Sequence, residues 1–135
     1  MNAIHPISDS IWNMKYRLRV DGQPVEATPA DTWRRVATAL AEAEAPEQRE
    51  RWAKRFYDAM EGYRFLPAGR ILAGAGTGRT VTLFNCFVMG TIPDSMEGIF
   101  DSLKEAALTM QQGGGIGYDF STLRPKGAVV HGIGA

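Results

Sequence analysis

The sequence predicts a mixed α/β chain, with a helical first part followed by a strand–helix–strand unit. Three observations predict it. Only Gly22 precedes Gly62, whereas fourteen glycines occur from Gly62 onward. Apolar residues recur at helical spacing after start signals at Thr28 and Pro46. A run rich in β-branched and aromatic residues, 80–89 (TVTLFNCFVM), is flanked by glycines.

At residues 11–20 (IWNMKYRLRV), Lys15, Arg17 and Arg19 alternate with Tyr16, Leu18 and Val20, the two-residue period of a strand. The Asp21-Gly22 pair that follows is a turn signal, so a short strand or extended arm is expected there. Thr28-Pro29-Ala30-Asp31 then reads as a helix start. Thr28 can cap, Pro29 suits the first helical position, and Asp31 is the acidic member of a capping box. Trp33, Val36, Ala37 and Leu40 form the apolar stripe. Pro46 opens a second helix with Trp52, Phe56 and Ala59 or Met60 on its buried side, and Gly62 ends it.

In the second part, residues 80–89 are apolar enough to be expected as a strand buried on both faces. Asp94 is expected to start a helix, with Glu97 completing a capping box. Ile99, Leu103, Ala106, Ala107 and Met110 face inward, and Gly113 to Gly115 stop it. A second extended segment, 116–123, completes a βαβ-like unit. A sheet of so few strands buries too little apolar surface to stand alone, so the chain is expected to be part of a longer protein. The expected division is 1–65 and 66–135.

Composition excludes several function classes. Lys+Arg and Asp+Glu are both 15, without the basic excess of a nucleic-acid-binding domain. No apolar run reaches the roughly 18 residues that a membrane helix needs. The N-terminus lacks the basic flank and apolar core of a secretory signal. A single cysteine forms no internal disulfide, which fits a reducing, cytoplasmic setting. His5 and His131 show no metal-ligand spacing, so no metal site is expected on this chain.

Gly74, Gly76 and Gly78 form G-x-G-x-G, but a strand follows them where a dinucleotide fingerprint needs a helix. They make either a flexible turn or a loop close to a phosphate or base. The cluster Gly113-Gly114-Gly115-Ile116-Gly117 exceeds what a helix cap requires. Its bare backbone faces either a packed element or a bound nucleotide. At Asp94, Ser95 and Met96 the helix start explains itself by capping, and its free N–H groups could also meet a ribose or base. Cys86, between Asn85 and Phe87, is by its own surroundings either a small buried hydrophobe or a reactive thiol.

Taken in order, residues 65–72 (FLPAGRIL), 84–88 (FNCFV), Asp94-Ser95, 113–117 (GGGIG) and Leu123-Arg124-Pro125 resemble ribonucleotide reductase. The wording of these segments, with IWNMKYR and DTWRRVA ahead of them, is similar to the adenosylcobalamin-dependent, class II branch. The resemblance runs across essentially the whole chain. It implies a helical domain followed by the first strand and helix of a ten-stranded α/β barrel, truncated here. It also implies reduction of a ribonucleotide's 2′-carbon by thiyl-radical chemistry that adenosylcobalamin initiates, for DNA synthesis.

By the same resemblance, Cys86 is the first of two cysteines that supply electrons as they become a disulfide, and its partner is not in this chain. Asn85, Cys86 and Gly115 match substrate contacts. Asp94, Ser95, Met96 and Arg124 match positions that bind an allosteric deoxynucleotide. Arg70 stands where other branches place a substrate-contacting threonine, and His131 where another branch places a basic effector contact. A thioredoxin-like or other dithiol reductant and a homodimer are the implied partners, and the chain alone would be inactive. Two other readings are a non-catalytic nucleotide-binding or interaction module and one chain of a split reductase.

Overall fold

A computed structural model describes residues 5–130. The chain divides into two compact units, 1–83 and 84–135.

The first unit is mainly helical. Helix α1 (Pro6–Lys15) leads into a two-stranded antiparallel ribbon, β1 (Arg19–Val20) and β2 (Gln23–Pro24). Residues 11–15, expected to be extended, are therefore helical, and only 19–20 are strand. The cause lies at both ends of the segment. Pro6 sits in the first turn, where proline costs no hydrogen bond. Trp12 faces inward and is buried, which fixes a helical face. Asp21 and Gly22 make the turn as expected, both with positive φ (50° and 78°), the combination a two-residue hairpin loop requires.

Helix α2 (Pro29–Ala41) begins at Thr28, and Asp31 Oδ2 accepts from the backbone N–H groups of Ala27 and Thr28. After a 3-10 turn at Pro46–Gln48, α3 (Arg49–Met60) packs against α2. Gly62, at φ 67°, ends that helical stretch. Tyr63 also has a positive φ of 62°, unusual for a bulky residue, and its ring stands edge-on to Trp33 with centroids 5.0 Å apart. Helix α4 (Gly69–Gly74) completes the unit. Its core is Trp33, Val36, Ala37, Met60, Leu72 and Ala75. The expected stripe of α2 is thus the core, and Met60, not Ala59, is the buried end of α3.

A polar chain runs through this core. Trp12 Nε1 donates to Thr32 Oγ1 (2.8 Å), and Thr32 donates to Glu26 Oε2 (2.7 Å). Glu26 also pairs with Arg35 Nε at 2.7 Å, with both side chains buried. Arg35 reaches on to the carbonyls of Tyr16, Leu72 and Ala75, which ties α2 to the end of α4.

The second unit is built on β3 (Cys86–Val88), α5 (Met96–Gln111) and β4 (Gly115–Gly117). The strands pair in parallel, so the expected βαβ connection is present. The strands are shorter than residues 80–89 and 116–123, which the sequence suggested. Nor is β3 buried on both faces: Val88 is 96% exposed and Cys86 is exposed. One face of the strand pair lies toward α5, and nothing among the described residues of this unit covers the other. The helix starts one residue later than expected, because the capping residue is Ser95. No helix among the described residues is long and apolar enough to cross a membrane.

Candidate functional site

The register of β3 and β4 places the candidate residues. Cys86 lies opposite Gly115, Phe87 opposite Ile116, and Val88 opposite Gly117. The Gly115 N–H donates to the Asn85 carbonyl at 2.8 Å, and the Met89 N–H donates to the Gly117 carbonyl at 3.1 Å. Alternation along a strand puts Cys86 and Val88 on one face with Gly115 and Gly117. That face therefore presents a thiol beside bare backbone. A β-carbon added at Gly115 would stand 3.4 Å from Cys86 Sγ and 3.3 Å from the Asn85 carbonyl oxygen. One added at Gly117 would meet nothing within 4 Å.

The four clustered glycines thus do different work. Gly113, at φ 86°, ends α5 in the left-handed conformation, and its N–H donates to the Met110 carbonyl. Gly114 is buried, and a β-carbon there would come within 2.6 Å of the Phe87 ring. Gly115 and Gly117 keep the thiol's face clear. The packed-element alternative is therefore realised at Gly114, whereas Gly115 and Gly117 face open space or the thiol.

The second cluster is the entry to α5. Ser95 Oγ accepts from the Gly98 N–H at 3.0 Å, which makes it the cap. Asp94 forms an ion pair with Arg124, Nε to Oδ2 at 2.8 Å, and Arg124 also donates to the Asp94 carbonyl at 3.0 Å. Thr122 adds a bond to the Ile92 carbonyl at 2.7 Å. Met96 is 69% exposed. Asp94, Ser95, Met96 and Arg124, separated by up to 30 positions, therefore gather at one helix end. The expected Asp94–Glu97 capping box is not what forms, because the Asp94 side chain is held by Arg124 and Ser95 takes over the cap.

Arg70 lies on α4 of the first unit, half-buried. His131 lies outside the described residues. Two of the G-x-G-x-G glycines serve packing: a β-carbon at Gly76 would stand 2.9 Å from Arg35 Cγ, and one at Gly74 would stand 3.0 Å from Val81 Cγ2, whereas one at Gly78 would meet nothing within 4 Å. Among the described residues no three His, Cys, Asp or Glu side chains gather as a metal site would require.

Sequence reading missed three residues. Arg35 organises the first unit's polar core, and only the fold brings Glu26 to it. Thr122 fastens the α5 entry. Phe87 fills the space over Gly114. A glycine next to a helix stop hints at such a notch, but the register identifies its occupant.

Residues 6–80 match the ribonucleotide reductase all-alpha domain, and residues 84–135 match the ribonucleotide reductase barrel domain. A vitamin B12-dependent ribonucleoside-diphosphate reductase of Mycobacterium tuberculosis (strain CDC 1551 / Oshkosh) is 40% identical over 116 residues, covering 84% of this chain and 16% of the relative. A protein of the same name from Thermoplasma acidophilum is 42% identical over 79 residues, covering 58% of this chain and 10% of the relative. The ribonucleoside-diphosphate reductase subunit alpha of Helicobacter pylori (strain ATCC 700392 / 26695) is 36% identical over 119 residues, covering 87% of this chain and 14% of the relative. The chain spans about a sixth or less of the length of these curated relatives. With the all-alpha domain at residues 6–80 and barrel-domain sequence from residue 84, the chain belongs to the ribonucleotide reductase family.

Proposed function

We propose that this chain is the leading part of an adenosylcobalamin-dependent ribonucleotide reductase that converts ribonucleoside diphosphates to 2′-deoxyribonucleotides in the cytoplasm. The carrying observation is Cys86 Sγ set beside the side-chain-free backbone of Gly115 on an open strand face. A thiol that gives electrons to a ribose must lie against the sugar on a rigid element. The Asn85–Cys86–Gly115 corner offers that arrangement. The balance is simple. The 2′-hydroxyl leaves as water, and Cys86 with a second cysteine elsewhere in the protein supplies two electrons and two protons as the pair becomes a disulfide. A dithiol reductant, thioredoxin-like or other, then restores both thiols. Cys86 is exposed, which suits that exchange.

Adenosylcobalamin supplies the initiating radical when bound. No step here is routed through it. We assign its site, the second cysteine and the remaining strands of a ten-stranded barrel to the rest of the protein. The cluster of Asp94, Ser95, Met96 and Arg124 is assigned to a deoxynucleotide effector, and the face of α5 to a homodimer contact. Arg70 is assigned to the substrate side on resemblance alone.

In the full-length protein, Cys86→Ser is expected to abolish sustained turnover with a dithiol reductant while leaving nucleotide binding intact. Normal multiple turnover in that variant would sink the role given to Cys86.

A further inference from the structure

We infer that Phe87 is a positioning residue for the Cys86 thiol, acting through the notch at Gly114. The inference rests on the redox reading of Cys86. Phe87 is half-buried between two exposed neighbours, so it is the residue of β3 that turns away from the open face. Its ring occupies the place a side chain at position 114 would take: the ideal β-carbon there lies 2.6 Å from Cε2 and 2.9 Å from Cδ2. The same β-carbon lies 3.0 Å from Thr109 Cγ2, so Thr109 forms another wall of the notch. Thr109 is itself fixed, its hydroxyl bonded to the Glu105 carbonyl (2.9 Å) and its carbonyl accepting the Gly114 N–H (3.0 Å).

A slip of two residues would deny the ring its seat. Residue 116, the next on that face of β4, is isoleucine, and residue 112 is glutamine. Seating Phe87 over Gly114 sets Cys86 opposite Gly115, and strand alternation turns the thiol to the open face. Phe87 does not touch the reacting sugar in this reading. It decides where the sulfur stands.

The test uses the full-length protein with three variants: Gly114→Ala, Phe87→Leu, and the two combined. Gly114→Ala overfills the notch and parts the strands. Amide exchange at Gly115, whose N–H bonds to Asn85, is expected to rise about tenfold. Misplacing the thiol is expected to lower kcat about 10²-fold, with KM for a ribonucleoside diphosphate changed by less than about twofold. Adding Phe87→Leu makes room for the new methyl and is expected to recover most of the loss in both readouts. Unchanged kcat in Gly114→Ala overturns the inference. So does a loss that follows the thermal midpoint and ignores Gly115 exchange, or a folded double variant that recovers nothing. If Gly114→Ala does not fold, Phe87→Leu alone decides: faster Gly115 exchange with lower kcat supports the inference, and wild-type values of both overturn it. Cys86→Ser serves as the reference. Should it keep turning over, the redox reading fails, and Gly115 exchange still decides whether Phe87 sets the register.

Discussion

The two units solve the problem of burying apolar surface in opposite ways. The first closes on itself: Trp33, Val36, Ala37, Met60, Leu72 and Ala75 share one core, and the buried Glu26–Arg35 pair braces it. Among its described residues the second has only Ile92 and Ala106 as buried hydrophobic side chains, while Phe84, Val88, Phe100, Leu103 and Phe120 are all more than half exposed. Yet the second unit holds the thiol, the bare glycine backbone and the clasped helix start. The first unit thus carries its own core, and the second, as described, does not. The difference teaches that the helical unit is closed by its own side chains, whereas the strand unit leaves an apolar face uncovered by its described residues.

The contrast can be broken most decisively by separating the units. Residues 1–83 expressed alone are expected to melt cooperatively, and residues 84–135 alone to show no cooperative transition by calorimetry. A cooperative melt from the second polypeptide would erase the comparison. Next in size is Arg35→Ala, which leaves the Glu26 carboxylate buried without its cation. A loss of about 3–5 kcal/mol is expected in denaturant unfolding of the first unit. A smaller effect is expected at the other ion pair. Arg124 and Asp94 are each about a third exposed, so Arg124→Ala should cost no more than about 1 kcal/mol, read from denaturant unfolding of the full-length protein. Its larger consequence should be faster amide exchange at residues 94–98.

The smallest effect separates the two helix starts by pH. Hydrogen bonds from the Thr28 and Ala27 N–H groups hold the Asp31 carboxyl below its ordinary value, the Thr28 bond contributing most. A carboxylate whose pKa is lower folded than unfolded stabilises above the ordinary range, and that contribution is lost as pH falls through the lowered value. The start of α2 should therefore fray on acidification below about pH 4, and Asp31→Asn should flatten that dependence. At the α5 start the cap itself is the Ser95 hydroxyl, which does not titrate there, so the Ser95 Oγ bond to the Gly98 N–H carries no such dependence. Amide exchange at the two helix starts, followed against pH, checks both statements.

Much of the first unit was legible because helices are local. The Thr28-Pro29-Asp31 start and the stripe of Trp33, Val36 and Ala37 are set by spacing alone. The polar core was not, since Glu26 meets Arg35 only after α2 and β2 are placed. Alternating charge at residues 15–20 suggested a strand over 11–20, and the buried Trp12 overruled it at 11–15. In the second unit the βαβ order was legible, but burial was not. A run as apolar as 80–89 promises cover on both sides, and composition cannot say whether the cover lies in the same unit. The candidate site residues came from ordered motifs, whereas Phe87 and Thr122 emerge only from register and loop closure.

The pairing of Cys86 with Gly115 also governs which length changes this region tolerates. Side chains on a strand alternate, so what counts is whether a change is odd or even. Slipping β4 by a single residue would bring Ile116 under the sulfur and set a glycine against Phe87's side of the sheet, closing the open face with a branched side chain. A slip of two would restore the orientation and miss only the notch. Insertions and deletions between Gln111 and Gly115 are thus constrained by parity before they are constrained by size.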